Sequence, residues 1–455
     1  MEKASLIQKY NIPGPRYTSY PTVPYWKTER FSETKWQVSA ARSFQESNID
    51  EGISIYIHLP FCESLCTFCA CHKRITKNHQ FEQPYIDALL KEWQLYLQLF
   101  DRRPTIKELH LGGGTPTFFK PNNLAHLIKH LLAPAKLSDN YEFSFEAHPN
   151  NTTRAHLKTL HDLGFRRISF GVQDYDEKVQ KTINRIQPFE IVREVTEWSR
   201  EIGYTSIGQD LIFGLPYQNL DGINNTIRLT QKLKPDRIAF YSYAHVPWIT
   251  NVGQRGYNEN DLPSGKEKRA LYETGKELLS EIGYQEIGMD HFSLPTDALY
   301  LAVQNNTLHR NFMGYTPNKT QLMVGLGMSS ISDSWYAFSQ NLKSVEKYME
   351  EVHQGNLPLL RGHLLTGEDL IVRRHILNIM CHFETTWDND KMKFPALKNT
   401  LTLLQEMRDD GLVVLIGDKL IIPDHARAFV RNVCMAFDLH LIRNKPQTRI
   451  FSMTV

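Results

Sequence analysis

The sequence predicts an α/β protein: an incomplete (β/α)6 TIM-like barrel followed by a mostly helical, winged-helix-like domain. Six short runs rich in β-branched and aromatic residues are each followed by a helical stretch, which implies parallel strands joined by right-handed crossovers. Six units are fewer than the eight of a closed barrel, so an open barrel is the first prediction and a doubly wound sheet the second. From about Leu342 the pattern changes to helix, helix, hairpin and helix.

The predicted elements follow from local composition and periodicity. The strands are predicted at residues 53–58, 108–112, 142–147, 167–171, 206–213 and 237–243. The helices between them are predicted at 85–99, 122–132, 154–163, 189–202 and 221–233. The C-terminal helices are predicted at 367–383, 395–410 and 424–443, with a hairpin at 412–422. We expect three parts: an extended segment covering the site (1–45), the core barrel (46–341) and the C-terminal helical domain (342–455).

Composition narrows the class of protein. The chain has 455 residues, with 52 Lys+Arg against 50 Asp+Glu and a net charge of +2, so no overall field attracts it to nucleic acid. Hydrophobic content of 41% with 22% charged residues is typical of a globular protein. No run of 18 apolar residues occurs, and the first ten residues lack the apolar centre of a signal peptide. We therefore expect a cytoplasmic protein without a membrane span that binds no nucleic acid, and a monomer.

Four of the six cysteines fall within ten residues: Cys62, Cys66, Cys69 and Cys71. Clustered cysteines favour metal binding over a disulfide framework. The CxxxCxxC spacing places three thiolates on one loop after the first strand, which is enough for three irons of a 4Fe–4S cluster and leaves the fourth iron open for catalysis. The alternative is a zinc knuckle that uses Cys71-His72, although no second cysteine cluster lies nearby. The isolated Cys381 and Cys434 are predicted to be inert buried thiols.

Most other candidate site residues lie at or just beyond the carboxyl end of a predicted strand, the face on which βα-barrels carry their active sites. A Gly112-Gly113-Gly114-Thr115 turn follows the second strand, where a missing side chain lets backbone approach a ligand. Glu146 ends the third strand, where an ionised carboxylate needs a donor. His58 precedes the cysteine loop and is a candidate for supporting the metal.

The cysteine loop, with Phe68 before its last cysteine, resembles the signature of the radical S-adenosylmethionine superfamily. More of the chain resembles one family within it, the oxygen-independent coproporphyrinogen III oxidase (dehydrogenase) family. The similar segments are NIPGPRYTSYPT, IHLPFCESLCTFCAC, GGGTPTF, SFGVQD, NR, DLIFGLP, YAHVP, IGMDHF, LHRNFMGYT and RNVCMAFD. Cys71 separates this family from haem-binding relatives that usually lack it. Leu111 and Ile186 depart from the family pattern, which affects fine packing only.

The resemblance implies the radical S-adenosylmethionine type of barrel and two bound S-adenosylmethionine molecules. The first would chelate the open iron and contact Tyr56, Phe68, Gly113, Glu146 and Ile331. The second would lie beside it against Gly114, Thr115, Gln173, Arg185, Asp210 and Ala244. Arg185 would pair with its carboxylate and Asp210 would offset its positive charge. Cys71 is assigned to catalysis without a defined role.

The implied reaction is the oxygen-independent oxidative decarboxylation of two propionates of coproporphyrinogen III to vinyl groups, giving protoporphyrinogen IX. The alternatives are a haem-binding or haem-delivery chaperone of the same fold, and a radical enzyme that acts on another tetrapyrrole or polycarboxylate. A substrate with four carboxylates needs cations, for which Arg16, His309 and Arg310 are candidates. Reduction of the cluster would need an electron donor such as flavodoxin or ferredoxin.

Overall fold

The computed structural model describes residues 3–246, 253–448 and 450–454. Its centre is a 12-stranded sheet whose parallel part contains the six predicted strands. These strands are β1 (Ile53–Leu59), β2 (Thr105–Gly113), β3 (Lys136–Ala147), β4 (Arg167–Gln173), β5 (Ser206–Phe213) and β6 (Arg237–Ser242). The sheet is not closed, since its order runs from one edge strand to another, and the prediction of an incomplete barrel is confirmed.

A seventh parallel strand, β7 (Met323–Leu326), pairs with β1 on the side away from β2, with Ser54 opposite Met323. This strand was not predicted, because a strand of four residues carries no periodicity of its own. Antiparallel strands extend both edges of the sheet. Beyond β7 they are Ile331–Asp333, Ala337–Asn341 and Leu359–Leu364; beyond β6 they are His291–Ser293 and Gln285–Ile287. The boundary at 341/342 stays a prediction, although strand Leu359–Leu364 belongs to the large sheet.

Helices cover the outer face of the sheet, where most buried apolar side chains form one large core. Helix starts carry the expected signals, such as the capping box of Thr153 with His156. The α-helices are Lys3–Tyr10, Glu33–Ser47, Glu82–Leu97, Pro121–Leu132, Arg154–Asp162, Glu177–Thr182, Phe189–Ile202, Leu220–Leu233, Gly265–Glu281, Ala298–Gln304, Val345–Gln354, Gly367–His382, Leu397–Asp409, Val430–Phe437 and Leu439–Arg443. None of the described helices is long and apolar enough to cross a membrane.

Three short sheets complete the fold. They are Phe61–Cys62 with Arg74–Ile75, His309–Asn311 with Gly314–Thr316, and Glu384–Thr386 with Lys419–Ile421 and Val414–Ile416. The last of these supplies the predicted hairpin of the C-terminal part. The single helix predicted over 424–443 is wrong: a 3-10 segment, Asp424–Phe429, precedes two α-helices. The break occurs at Asp438, which leaves helical geometry and accepts a hydrogen bond from the Leu441 N–H at 2.9 Å.

The leading segment is held by the C-terminal part of the chain. Tyr17 and Tyr20 belong to the second hydrophobic core together with residues of the last helices. Arg431 donates to the carbonyls of Gly14 and Pro15. A Cβ on Gly14 would lie 2.6 Å from the Thr454 side chain, so only glycine fits. The segment is therefore fixed rather than frayed.

Candidate active site

The cysteine loop follows β1 and is tied to the barrel by its backbone. The Thr67 N–H donates to the Ile183 carbonyl at 2.9 Å, and the Gly253 N–H donates to the Cys69 carbonyl at 3.0 Å. Cys62, Cys66 and Cys69 are half-buried, whereas Cys71 is exposed. All four line one cavity of about 170 Å³. The loop thus presents its sulfur atoms to a space at the carboxyl end of the strands.

The thiols differ in acidity. The Cys71 thiol donates a hydrogen bond to the Cys69 sulfur, which lowers the pKa of Cys69 to about 6 and raises the pKa of Cys71 well above its ordinary value. Burial raises the pKa of Cys62 to about 11, opposed by the Thr115 hydroxyl, which lies 3.4 Å from the sulfur. The Arg185 guanidinium lies 3.5 Å from the Cys66 sulfur. The loop therefore favours a thiolate at Cys69, and a thiolate is the form that ligates metal.

The glycine turn after β2 forms the wall opposite the cysteines. Gly113 has φ of +111°, and a Cβ there would lie 2.8 Å from the His58 ring. A Cβ on Gly114 would lie 2.6 Å from the Pro60 carbonyl carbon. Any other residue would collide with the chain that leads into the cysteine loop. The turn thus lets the end of β2 lie directly against the backbone segment that leads into the cysteine loop.

Glu146 and Tyr56 lie beside this turn in two separate sets of hydrogen bonds. Glu146 accepts from the Gly113 N–H at 3.3 Å and lies 3.6 Å from His110 Nε2. Burial alone would raise the pKa of Glu146, but the His110 contact and the Gly113 N–H hold it below its ordinary value, so the carboxylate is ionised. His58 Nε2 donates to the His72 carbonyl at 2.9 Å, and its Nδ1 therefore accepts from the Tyr56 hydroxyl at 3.1 Å.

Gln173, Arg185 and Asp210 line the same cavity from β4, the following loop and β5. Gln173 has φ of +71°, and Arg185 donates to the Gly171 carbonyl at 2.5 Å while its buried Nε has no hydrogen-bond partner. Burial and the negative charge of Glu146 raise the pKa of Asp210 to about 6, and the Ser169 hydroxyl opposes this at 3.0 Å. A guanidinium with an unpartnered Nε and a carboxylate for which the described residues provide no ion pair therefore lie in one space, which suits a zwitterionic ligand.

The residues of this cavity fit a 4Fe–4S cluster and S-adenosylmethionine, the two groups that the sequence implies. Three thiols line one cavity, and the carboxyl group of a ligand would satisfy the unpartnered Arg185 donor. Phe68, Gly113, Gly114 and Thr115 also line this cavity. Tyr56 is not part of the lining but lies next to Glu146, because a Cβ on Gly112 would contact both side chains.

Other predicted residues lie outside the cavity lining. The Ala244 carbonyl accepts from Gln254 at 2.8 Å just beyond β6, and Ile331 begins the strand next to β7. Pro247 of the YAHVP segment falls outside the described residues. Arg16 donates to the Ser242 carbonyl at 2.8 Å and lies 3.9 Å from Asp290, at the rim of the barrel.

His309 and Arg310 do not reach the cysteine cavity. His309 lines another cleft, together with Lys107 at the start of β2. Arg310 is 5% exposed and lies over the Tyr315 ring, with two nitrogens that lack hydrogen-bond partners. Since the two residues are adjacent in strand His309–Asn311, their side chains point to opposite faces.

Several residues of the site were not predicted from the sequence. His110 is the partner of Glu146, and Lys73 donates to the carbonyls of Cys69 and Cys71 at 3.3 and 3.2 Å. His148 and Asn151 line the cavity from the loop after β3. The rule that active sites lie at the carboxyl ends of the strands would have found this loop.

Comparisons with known proteins point to the same superfamily as the cysteine loop. Residues 56–230 match the model of the radical SAM superfamily. The chain is 38% identical to an oxygen-independent coproporphyrinogen III oxidase of Helicobacter pylori, with 96% of each chain covered. It is 37% identical to the Escherichia coli protein of that name, with 99% of this chain and 98% of the relative covered.

A solved structure of coproporphyrinogen III oxidase from Escherichia coli, described as a radical SAM enzyme, matches with a TM-score of 0.89 at 34% identity. The match covers 97% of this chain and 99% of that one. Full-length similarity at this level, together with the cysteine loop and the open barrel, places the chain in one family. The chain belongs to the oxygen-independent coproporphyrinogen III oxidase family of the radical SAM superfamily.

Proposed function

We propose that this protein decarboxylates two propionate side chains of coproporphyrinogen III to vinyl groups without oxygen, giving protoporphyrinogen IX. The observation that carries the proposal is the single cavity lined by Cys62, Cys66 and Cys69 together with Arg185 and Asp210. The full-length relatives bear the name of this enzyme, which favours it over the haem-delivery alternative. We place the reaction in the cytoplasm, in a monomeric protein.

The chemistry requires a radical because the C–H bonds of a propionate offer no acidic proton to a general base. A reduced 4Fe–4S cluster held by Cys62, Cys66 and Cys69 would supply the electron that splits S-adenosylmethionine into methionine and a 5′-deoxyadenosyl radical. Each propionate then loses one hydrogen atom from its β-carbon, one carbon dioxide and one electron, which passes to an external acceptor. The residues of the chain bind, orient and exclude water around these steps.

The residues that the sequence implies for the two S-adenosylmethionine molecules have separate roles in this proposal. The ionised Glu146 and the Gly113 backbone bind and orient the first S-adenosylmethionine, with Tyr56, Phe68 and Ile331 beside it. Arg185 pairs with the carboxylate of the second molecule, and Asp210 offsets its positive charge. Gly114, Thr115, Gln173 and Ala244 complete this second site. The exposed Cys71 remains available for proton or hydrogen transfer.

The substrate carboxylates would enter from the rim, where the segment over residues 1–45 covers the site. Arg16, held at the end of β6, is the contact that we propose there. Arg310 contributes through Arg16, because its Nη2 lies 3.5 Å from the Arg16 carbonyl. His309 stays a weaker candidate because it lines the other cleft. We keep the division of the chain at 341/342 as part of the proposal.

The experiment is an anaerobic assay of the reconstituted protein with substrate deuterated at the propionate β-carbons. We expect deuterium in 5′-deoxyadenosine, loss of two carbon dioxide molecules per substrate and a product mass of the divinyl compound. Decarboxylation without deuterium in 5′-deoxyadenosine would refute hydrogen abstraction at that carbon. Stable haem binding without decarboxylation would favour the haem-delivery alternative.

A further inference from the structure

The outer side of the cysteine loop reaches the surface and carries a positive charge. Cys71 and His72 are exposed, and both follow the last cysteine of the motif. Lys73 donates to the carbonyls of Cys69 and Cys71 at 3.3 and 3.2 Å, so its ammonium group is fixed on the loop itself.

Two further cations reach the loop from the antiparallel edge of the sheet. Lys343 follows strand Ala337–Asn341, and Arg361 lies in strand Leu359–Leu364, where its Nε donates to Gln340 at 2.8 Å. The loop is joined to this edge by the ion pair of Arg74 with Glu346, which lies three residues after Lys343. We call Lys73, Lys343 and Arg361 the basic face.

The positive charge of the basic face is not neutralised. Within the described part of the chain, none of its three side chains forms an ion pair with a carboxylate. The neighbouring Arg74, in contrast, pairs with Glu346. In a chain whose net charge is only +2, three unpaired cations on one side of the loop form a distinct local field.

The position and composition of the basic face favour a protein partner over the small substrate. The described lining of the cysteine cavity includes Lys73 but neither Lys343 nor Arg361, so two of the three cations lie outside that cavity. Ile75, two residues after Lys73, is 43% exposed. An exposed apolar side chain beside cations is the composition of a protein interface with a polar rim.

We propose that the basic face is the docking surface for an acidic one-electron carrier protein. This inference rests on the proposed function, since it assumes that the three cysteines hold an iron–sulfur cluster. The reduced carrier loses one electron and the cluster gains it, with no atom transferred. Opposite charges accelerate the encounter and orient the carrier over Cys71 and His72.

The test uses the reconstituted protein and a bacterial flavodoxin of net negative charge, reduced to its hydroquinone. The variant is Lys343→Glu, because Lys343 is exposed and touches no cysteine. The matched control is Lys398→Glu, an equally exposed lysine on helix Leu397–Asp409. Loss of the cluster absorbance is followed by anaerobic stopped flow at several salt concentrations. Zero-length carbodiimide cross-linking of oxidised flavodoxin, mapped by mass spectrometry, reports docking without turnover.

We expect Lys343→Glu to slow reduction by flavodoxin roughly five- to twentyfold at low salt, and the difference to shrink as salt screens the charges. Lys398→Glu stays within about twofold of the parent, on the same reasoning. Cross-links join flavodoxin carboxylates to Lys73 or Lys343. Reduction by dithionite is unchanged in both variants.

Equal slowing in both variants, or cross-links only elsewhere on the chain, would overturn the docking proposal. A raised KM for the tetrapyrrole in dithionite-driven assays, with flavodoxin reduction unchanged, would overturn it in favour of a substrate contact. Failure of the parent to hold iron or to cleave S-adenosylmethionine with dithionite would instead remove the proposed function on which it rests.

Discussion

Asp210 is costly to ionise in the absence of a ligand, and this cost can be measured. Its carboxyl group shares the cavity with the ionised Glu146 and has the Ser169 hydroxyl as a hydrogen-bond donor at 3.0 Å. Burial and the Glu146 charge raise its pKa from 3.8 to about 6. At about 1.4 kcal/mol per pKa unit, the native state loses at most about 3 kcal/mol by ionising this group.

Replacement of Asp210 by asparagine should therefore stabilise the protein without S-adenosylmethionine. The native state holds the proton more tightly than the unfolded state, so the free energy of unfolding of the parent falls as the pH rises from about 4 to about 6. The advantage of Asp210→Asn should be at most about 3 kcal/mol above pH 6 and about half of that near pH 5. In a chain of this size the melting temperature should rise by several degrees at neutral pH.

The assay is thermal unfolding of the reconstituted protein at pH 5, 6 and 7.5, with and without S-adenosylmethionine. The control is Asp424→Asn, which changes an exposed carboxylate that pairs with Arg427 at the surface and should shift the melting temperature little. With S-adenosylmethionine the variant should instead melt below the parent, because it loses the charge that offsets the second molecule. The binding stoichiometry of the variant should fall from two to one. A lower melting temperature of Asp210→Asn than of the parent at pH 7.5 without ligand would refute this reasoning.

Three other predictions follow from contacts of the loop, the turn and the termini. Cys62→Ala should lose iron and the brown chromophore while Cys71→Ser keeps most of its iron, and full iron retention in Cys62→Ala would contradict the ligand set. Gly114→Ala should lose iron, because its Cβ would lie 2.6 Å from a backbone carbon. The control Gly367→Ala, with open space around its Cβ, should retain iron, and iron content after reconstitution measures both. Arg431→Ala should lower the free energy of unfolding by about 1–3 kcal/mol, because the buried carbonyls that it holds lose their donor. Denaturant titration measures this, and an unchanged free energy of unfolding would contradict it.

The regular part of the barrel could be predicted closely from sequence. Strand β5 and helix Phe189–Ile202 have the predicted bounds. Both have clear patterns: a short run with β-branched and aromatic residues limited by a turn in the strand, and an amphipathic stripe that ends at Gly203 with φ of +110° in the helix. The strand β7 could not be predicted in this way, since it is defined by its partner β1 rather than by its own four residues.

The site was predictable where strand ends alone determine position. Glu146 and Gln173 lie at the carboxyl ends of the neighbouring strands β3 and β4, so their meeting in one cavity follows from the topology. Asp210 lies within β5, and only the resemblance implies it. No comparable rule gives the position of the substrate candidates His309 and Arg310. Adjacent residues of a short antiparallel hairpin face opposite ways, and the sequence does not reveal which face of His309–Asn311 turns towards the cysteines.

Two distant segments of the resemblance form a single contact, which explains why both belong to the pattern. The opening segment contributes Gly14 and Arg16, and the RNVCMAFD segment contributes Arg431. Arg431 holds the Gly14 and Pro15 carbonyls, and this places Arg16 against the Ser242 carbonyl and near Asp290. A glycine is required because the Thr454 side chain fills the space of a Cβ. The aromatic opening of the chain thus owes its position at the rim of the barrel to the last helices, and the sequence motif at each end records one half of that contact.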